Sequence, residues 1–502
     1  MAKNLNLNDQ NVVTELISNI EGSEERGRKT NEFRSWQIYS GNVKPYVKDA
    51  IIATRPKSYT GYTFSDISFS KMITDTKSKA YKEAPLRSVD NDDVKNERLN
   101  VIYEEGDARR QMPYLDTITN LHKHSLLWVN YIDESERYNF MSLQGYEYSV
   151  VRDKDTGDLI GVILNYGNRD ITSGSNSGDG LDALIAESQA DSSAGAKIYA
   201  MWSEKDFVVI KVEEDNIIGE DGRPTAKKSV TYVDIPGNPH NENKIGVLPF
   251  VYTSQEMAID FPTPSPLSDQ TITANAMLSE YMTATNIQGT GQLVVSYPQK
   301  LEGMFKKMTT GLLSAIKLPQ SSNPDDKETK VDYINPNPDL AGQKETTLTY
   351  IKQVMNEHGI KNTSSVDSSA SSFSSGLHMA IANASVQDII EENQLMYVEV
   401  EKQMFTIIKA WESFLGNSVF KDEDQLNITF KKPKVLISDK EVLENVEKRL
   451  ALGLIEKYEA LMILDPNLNE KSAKEKADSM MQTKLDSVKG LDFGTEEDNK
   501  ES

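Results

Sequence analysis

Apolar residues recur at two different periods along this chain, and the changes of period divide it. Near the N-terminus Val12, Val13, Leu16, Ile17 and Ile20 fall on one helical face, and residues 26–39 set Phe33, Trp36 and Tyr39 three apart before a stop at Ser40-Gly41. Further helices are predicted over 65–81 and 107–124. From Ser125 to Tyr252 the period shortens to that of strands. Segments 126–132, 146–151, 159–166, 197–202, 207–212 and 229–233 are rich in β-branched and aromatic residues, with turn signals between them. Residues 169–195, rich in Gly, Ser and Asp, are expected to be a mobile insertion.

Pro262, Pro264 and Pro266 return the chain to helix. Ser268 is the expected N-cap, Ala274, Leu278, Tyr281 and Met282 share a face, and Glu280 is the only charge between Thr271 and Gln292. An apolar stripe with an uncharged Thr, Ser, Asn and Gln remainder suits burial between copies of the chain, with burial inside one chain an even alternative. Residues 289–337 read as a small mixed insert: strands at 293–297, near 313–318 and at 331–334, and a helix over 301–308. A helix over 339–358, carrying Leu348, Ile351 and Met355, completes a hairpin with a decorated tip.

Residues 362–375 are a serine tract with one charge. Such a tract buries too little apolar surface to form core, so the pattern leaves two readings open: a linker, or a surface that touches something without gripping it. A proline-free run from Gly376 to Gly416 then places Val386, Ile390, Asn393, Tyr397, Val400, Met404, Ile408, Trp411 and Leu415 on one face of a helix roughly 58 Å long. The lone strand at 426–430 needs a partner in the earlier sheet. Ser438, Asp439, Lys440 and Glu441 form a capping box that opens a helix through Val442, Val446 and Leu450. Gly453 turns the chain into a second helix over 456–464, stopped by Asp465-Pro466, and residues beyond Val488 are polar and expected to be disordered.

A chain of 502 residues exceeds one core, so two or three subdomains of α+β class are expected. Mean hydropathy of −0.53 and the lack of any long apolar run or signal-like N-terminus point to a soluble cytoplasmic product without a membrane. The absence of cysteine excludes disulfides, thiolate catalysis and Cys-based zinc sites. A net charge of −22 argues against wrapping nucleic acid, because Lys and Arg supply affinity for phosphate; it leaves room for a wall that lets a duplex pass. Lys300, Lys306 and Lys307 form a local basic patch.

Chemistry-bearing motifs are missing. There is no phosphate-cradling loop and no H-E-x-x-H, and residues 174–178 have Asn where a nucleophile elbow needs Ser. Residues 153–158 resemble a calcium loop only until Gly157 and Leu164 fall at positions that need ligands, so a hairpin turn is favoured. His122 and His124 lack an acidic residue at ligand spacing, and the basic residues 431–434 read as a solvated turn. Outside these, an acidic metal-dependent hydrolase and a monomeric scaffolding or binding module remain as alternative classes.

Several segments, taken in order, resemble the portal proteins of tailed bacteriophages, which form the ring at one capsid vertex through which DNA enters and leaves. They are residues 28–41 with Trp36 and Tyr39; 124–131 through 151–153 and 161–164; 246–251; and 452–455, 459–460 and 464–468. The likeness covers most of the chain. It implies a wing at 1–266, helical and then mainly β, to which a strand at 417–437 returns. It implies a first stem helix at 267–288, a small mixed α/β clip at 289–337, and a second stem helix at 338–359. A tunnel loop at 360–376, a long helix toward the crown at 377–416 and helical crown residues 438–487 follow, with a disordered tail at 488–502.

By position, the resemblance implies a DNA-facing loop made by Ser364, Ser365, Ser368, Ser369, Ser371, Ser372, Phe373, Ser374 and Ser375. Lys300, Lys306 and Lys307 would meet the terminase or an adaptor. Leu278, Tyr281, Met282, Leu348, Ile351 and Met355 would pack subunits together in the stem. The implied assembly is a homododecamer in the virion, made in the host cytoplasm, with no cofactor and no catalysis of its own. Its implied partners are the large terminase, a head–tail adaptor, the major capsid and scaffolding proteins, and double-stranded DNA passing without sequence specificity during packaging and ejection. In one departure, no Lys or Arg lies between Asn362 and Leu377, so a tight grip on phosphate is not expected.

Overall fold

A computed structural model of the chain describes residues 5–54, 62–90, 92–132, 135–153, 155–165, 197–218, 224–235, 238–256, 264–290, 292–298, 316–320, 330–334, 339–360, 376–431 and 439–464, with a few more between 473 and 479. Among them the fold is mixed α+β, with eleven helices and several small, mostly antiparallel sheets. No helix among the described residues is long and apolar enough to cross a membrane. The chain divides into one unit of residues 1–360 with 386–432 and another of 361–385 with 433–502.

The first unit is built around a five-stranded antiparallel sheet in simple chain order: β4 (Tyr148–Arg152), β5 (Leu159–Asn165), β6 (Lys197–Ser203), β7 (Phe207–Ile218) and β8 (Pro224–Val233). Side chains alternate across a strand, so each of its faces needs its own cover. Ile163, Tyr199, Met201 and Val208 meet Val13, Ile17 and Ile20 of α1 (Gln10–Ile20) on one face. On the other, Val162, Leu164, Ala200 and Trp202 meet Leu126, Trp128 and Phe250. These last belong to a three-stranded sheet in which β2 (His124–Ile132) lies between β3 (Arg137–Leu143) and β9 (Phe250–Ser254). The turn from β4 to β5 is held by Asp153, whose Oδ1 accepts from the backbone N–H of Asp155 at 2.8 Å and of Thr156 at 3.2 Å. Its geometry is that of the expected hairpin.

Five helices follow or precede these strands in the chain: of α2 (Ser23–Tyr39), α3 (Lys44–Thr54), α4 (Phe69–Lys77), α5 (Asp93–Glu105) and α6 (Ala108–His122), the last two pack on the three-stranded sheet, α4 packs on α2 and α6, and α3 packs on the helix at Leu267–Thr290. The expected helix over 65–81 is shorter, because residues 62–68 are extended and dock elsewhere. α3 and α5 and strand β3 were not anticipated. Nor was β1 (Leu86–Val89), which pairs antiparallel with β13 (Leu426–Thr429) from the far end of the chain. The lone strand thus finds its partner in a separate two-stranded ribbon rather than in the main sheet.

The hairpin consists of α7 (Leu267–Thr290) and α8 (Leu340–Glu357), which pack on each other. Between them lies a three-stranded sheet with β10 (Gln292–Pro298) at its centre, parallel to β11 (Ile316–Gln320) and antiparallel to β12 (Lys330–Ile334). The expected helix over 301–308 lies outside the described residues, as does the whole of the 169–195 insertion. After α8 comes α9 (Gly376–Phe414). Its predicted face is the observed one: Val386, Ile390, Asn393, Tyr397, Val400, Met404 and Ile408 are buried, and Trp411 packs on the same core with its Nε1 donating to the Val129 carbonyl at 3.1 Å.

In the second unit, α10 (Asp439–Ala451) and α11 (Lys457–Leu464) pack together across a turn in which Gly453 takes φ +66°, a backbone region that favours glycine. Val446 and Ala460 are buried there.

Candidate functional site

The hairpin carries the described part of the site expected from sequence, and α7 departs from an ordinary amphipathic helix. Its buried positions are largely polar: Ser268, Thr271, Asn275, Ser279 and Thr283 are all buried. Ser268 lies inside the helix rather than capping it, and its hydroxyl donates to the Ser35 hydroxyl at 2.7 Å.

The polar face exists because an extended segment, residues 62–68, lies along it. Asn275 Oδ1 accepts from the Ile67 N–H at 2.8 Å and from the Ser65 hydroxyl at 2.7 Å, while its Nδ2 donates to the Ile67 carbonyl at 2.7 Å. Ser279 Oγ accepts from the Ser65 N–H at 2.8 Å, and Thr283 Oγ1 from the Thr63 N–H at 3.2 Å. The spacing explains the ladder. Four helical residues rise about 6 Å and two extended residues about 6.6 Å, so every second residue of the segment meets every fourth of the helix. Side chains of α7 thereby satisfy backbone donors that have no sheet partner.

The apolar stripe is left comparatively uncovered. Leu278, Tyr281, Leu348, Ile351 and Met355 are half-buried, and Met282 is 38% exposed. A cleft of about 380 Å³ opens beside Tyr281 and Glu280, between α7 and the first turns of α8. α8 starts at an Asp339 N-cap whose Oδ1 accepts from the Gly342 N–H at 2.9 Å.

At the other end of α8, His358 ties the hairpin to α4. Lys77 Nζ lies 3.3 Å from His358 Nδ1, and an ammonium only donates, so Nδ1 accepts and Nε2 carries the proton. Nε2 then donates to Gln270 Oε1 at 2.9 Å, and Gln270 Nε2 donates to Glu357 at 2.8 Å. Burial, with the Lys77 charge beside it, holds His358 down to about 4. The ring is therefore neutral near pH 7, as this chain of bonds requires.

α9 is fixed by two buried carboxylates three turns apart. Glu401 accepts from Arg87 at 3.0 and 2.5 Å, from Tyr103 at 2.6 Å and from Tyr81 at 3.1 Å. Glu412 accepts from Arg98 at 3.0 and 2.6 Å and from Tyr138 at 2.8 Å. Removing one partner from such a pair leaves a buried charge uncompensated, at a cost of about 3–5 kcal/mol.

The serine tract, Ser364, Ser365, Ser368, Ser369, Ser371, Ser372, Phe373, Ser374 and Ser375, lies outside the described residues. So do Lys300, Lys306 and Lys307. His122 and His124 are both buried and hydrogen-bonded: His122 Nε2 meets Gln144 at 3.2 Å, and His124 bridges Tyr148 at 2.5 Å and Glu32 at 2.8 Å. Asn275, Ser279 and Thr283, spaced four apart, were visible as uncharged positions, but not as a docking ladder. No protein-family model matches the chain, and no curated protein matches it.

Proposed function

We propose that this chain is the portal protein of a tailed bacteriophage, a ring of identical subunits at one capsid vertex. DNA is driven through it by the terminase and later leaves through it, and adaptors and tail attach to it. The observation that carries this reading is the hairpin. Two helices interrupted by a small sheet leave Tyr281, Met282, Leu348 and Ile351 incompletely covered by their own chain, while α7 has no charge from Thr271 to Thr290 except Glu280. Apolar, nearly uncharged helix surface favours contact with further copies over exposure to water. The order of segments that resembles the portal family supports the same reading.

In this assembly α7 and α8 form the stem, residues 289–337 the clip that docks the terminase, and residues 360–376 the loop toward DNA. Uncharged hydroxyls there let a duplex slide without holding its phosphates, and the energy for movement comes from the terminase. Met282→Glu places a charge on the stripe at an exposed position, so the subunit should fold normally while assembly shifts to monomer in sedimentation velocity. Unchanged assembly by the variant would remove the stripe from the interface.

A further inference from the structure

A second polar site lies far from the hairpin in sequence, where α2 meets the adjoining ends of β5 and β6. Here a cavity of about 530 Å³ is lined by Arg26, Lys29 and Lys197, by Glu21, and by Phe33 and Tyr146. Glu21 is fully engaged: Lys197 donates to it at 2.7 Å, Tyr199 at 3.1 Å, and Lys228 also bonds it. Burial works against the Glu21 carboxylate, but these lysines outweigh it and hold the group down to about 2.

Lys29 lacks such a partner. Among the described residues its one ion pair within 4 Å is Glu25 Oε1 at 3.9 Å. That oxygen already accepts from Arg28 at 2.5 Å and from Ser149 at 2.6 Å. Arg28 is itself saturated by Glu25, Glu32 and the carbonyls of Gly145 and Tyr148. Burial pushes the Lys29 ammonium down to about 8, its carboxylate neighbours notwithstanding. The Arg26 guanidinium meets only a carbonyl, that of Glu21, at 3.1 Å among the described residues. Phe33 and Tyr146 form one wall, edge to face with centroids 5.3 Å apart. Three cations and one carboxylate thus face a cavity with an aromatic wall, in a protein whose net charge is −22.

We propose that this cavity binds a small organic anion, with Lys29 and Arg26 taking its charged head and Phe33 and Tyr146 its flat apolar body. A bound oxoanion supplies the close partner that the Lys29 ammonium lacks, and the two rings give a planar group an aromatic surface to pack against, by stacking or edge to face. The size of the cavity suits a ligand of small-molecule dimensions.

Pyridoxal 5′-phosphate, which joins an oxoanion and a flat ring to an aldehyde, is the probe. The Lys29 amine adds to the aldehyde carbon and water leaves as the imine forms. Borohydride then delivers hydride to the imine carbon and water protonates the nitrogen, leaving a stable secondary amine. Peptide mapping of the full-length protein treated at pH 7.5 should find Lys29 labelled ~10-fold or more faster than exposed lysines, because a site that holds the phosphate and the ring raises the local concentration of the aldehyde beside this amine. Phenyl phosphate should protect Lys29 better than inorganic phosphate at equal concentration, and Phe33→Ala should erase that difference. Labelling of Lys29 no faster than that of surface lysines, or equal protection by the two anions in the parent protein, would overturn the proposal.

Discussion

Asp116 and His122 lie two turns apart on α6, both buried, and titrate in opposite senses. Burial pushes Asp116 up to about 7, although Ala80 N–H at 2.9 Å and Asn120 at 2.8 Å donate to it. The folded chain then keeps a proton that the unfolded chain releases near 3.8, so this contribution is lost as pH rises from about 4 to 7. Burial holds His122 down to about 4, so the unfolded chain binds the extra proton and stability is lost as pH falls from about 6.5 to 4. Asp116→Asn deletes only the first effect. Its melting temperature relative to the parent should rise between pH 5 and pH 7.5, as followed by calorimetry; a difference independent of pH would contradict a raised Asp116.

At the scale of elements, legibility depended on whether a residue's partner lay on its own element or far away. The α9 face from Val386 to Ile408 was readable because one long helix repeats its burial every three or four residues. The ladder on α7 was not, since Thr63 and Ser65 approach Thr283 and Ser279 from more than two hundred positions earlier. β1 has only four residues and meets β13 across most of the chain, so neither strand carries a local sign of the other. α3 was readable in principle: Val43, Val47 and Ile51 are four apart and all buried, with Pro45 in the first turn, where proline is tolerated. In β3, Tyr138 and Phe140 alternate inward. The stripe of the hairpin was legible as apolar, whereas the reason for its neutral remainder emerged only from the docked segment. Asn275→Ala leaves Ile67 and Ser65 without their partners and should destabilise the first unit by about 2–3 kcal/mol in urea unfolding. A loss below about 0.5 kcal/mol would mean that the ladder is incidental.

For the whole molecule, the proposed function rests on the hairpin and on the order of segments along the chain. Deleting Ser368 to Ser374 should leave assembly unchanged while DNA packaging or retention drops in a particle assay, because a serine-rich sequence offers little apolar surface to bury. Normal packaging by the deletion would end its assigned role. The ring itself is tested most directly by negative-stain imaging of the purified full-length protein. Closed rings with a central hole and about twelve copies of the subunit are expected, the number that the family resemblance implies. A particle that stays monomeric at every concentration would contradict it.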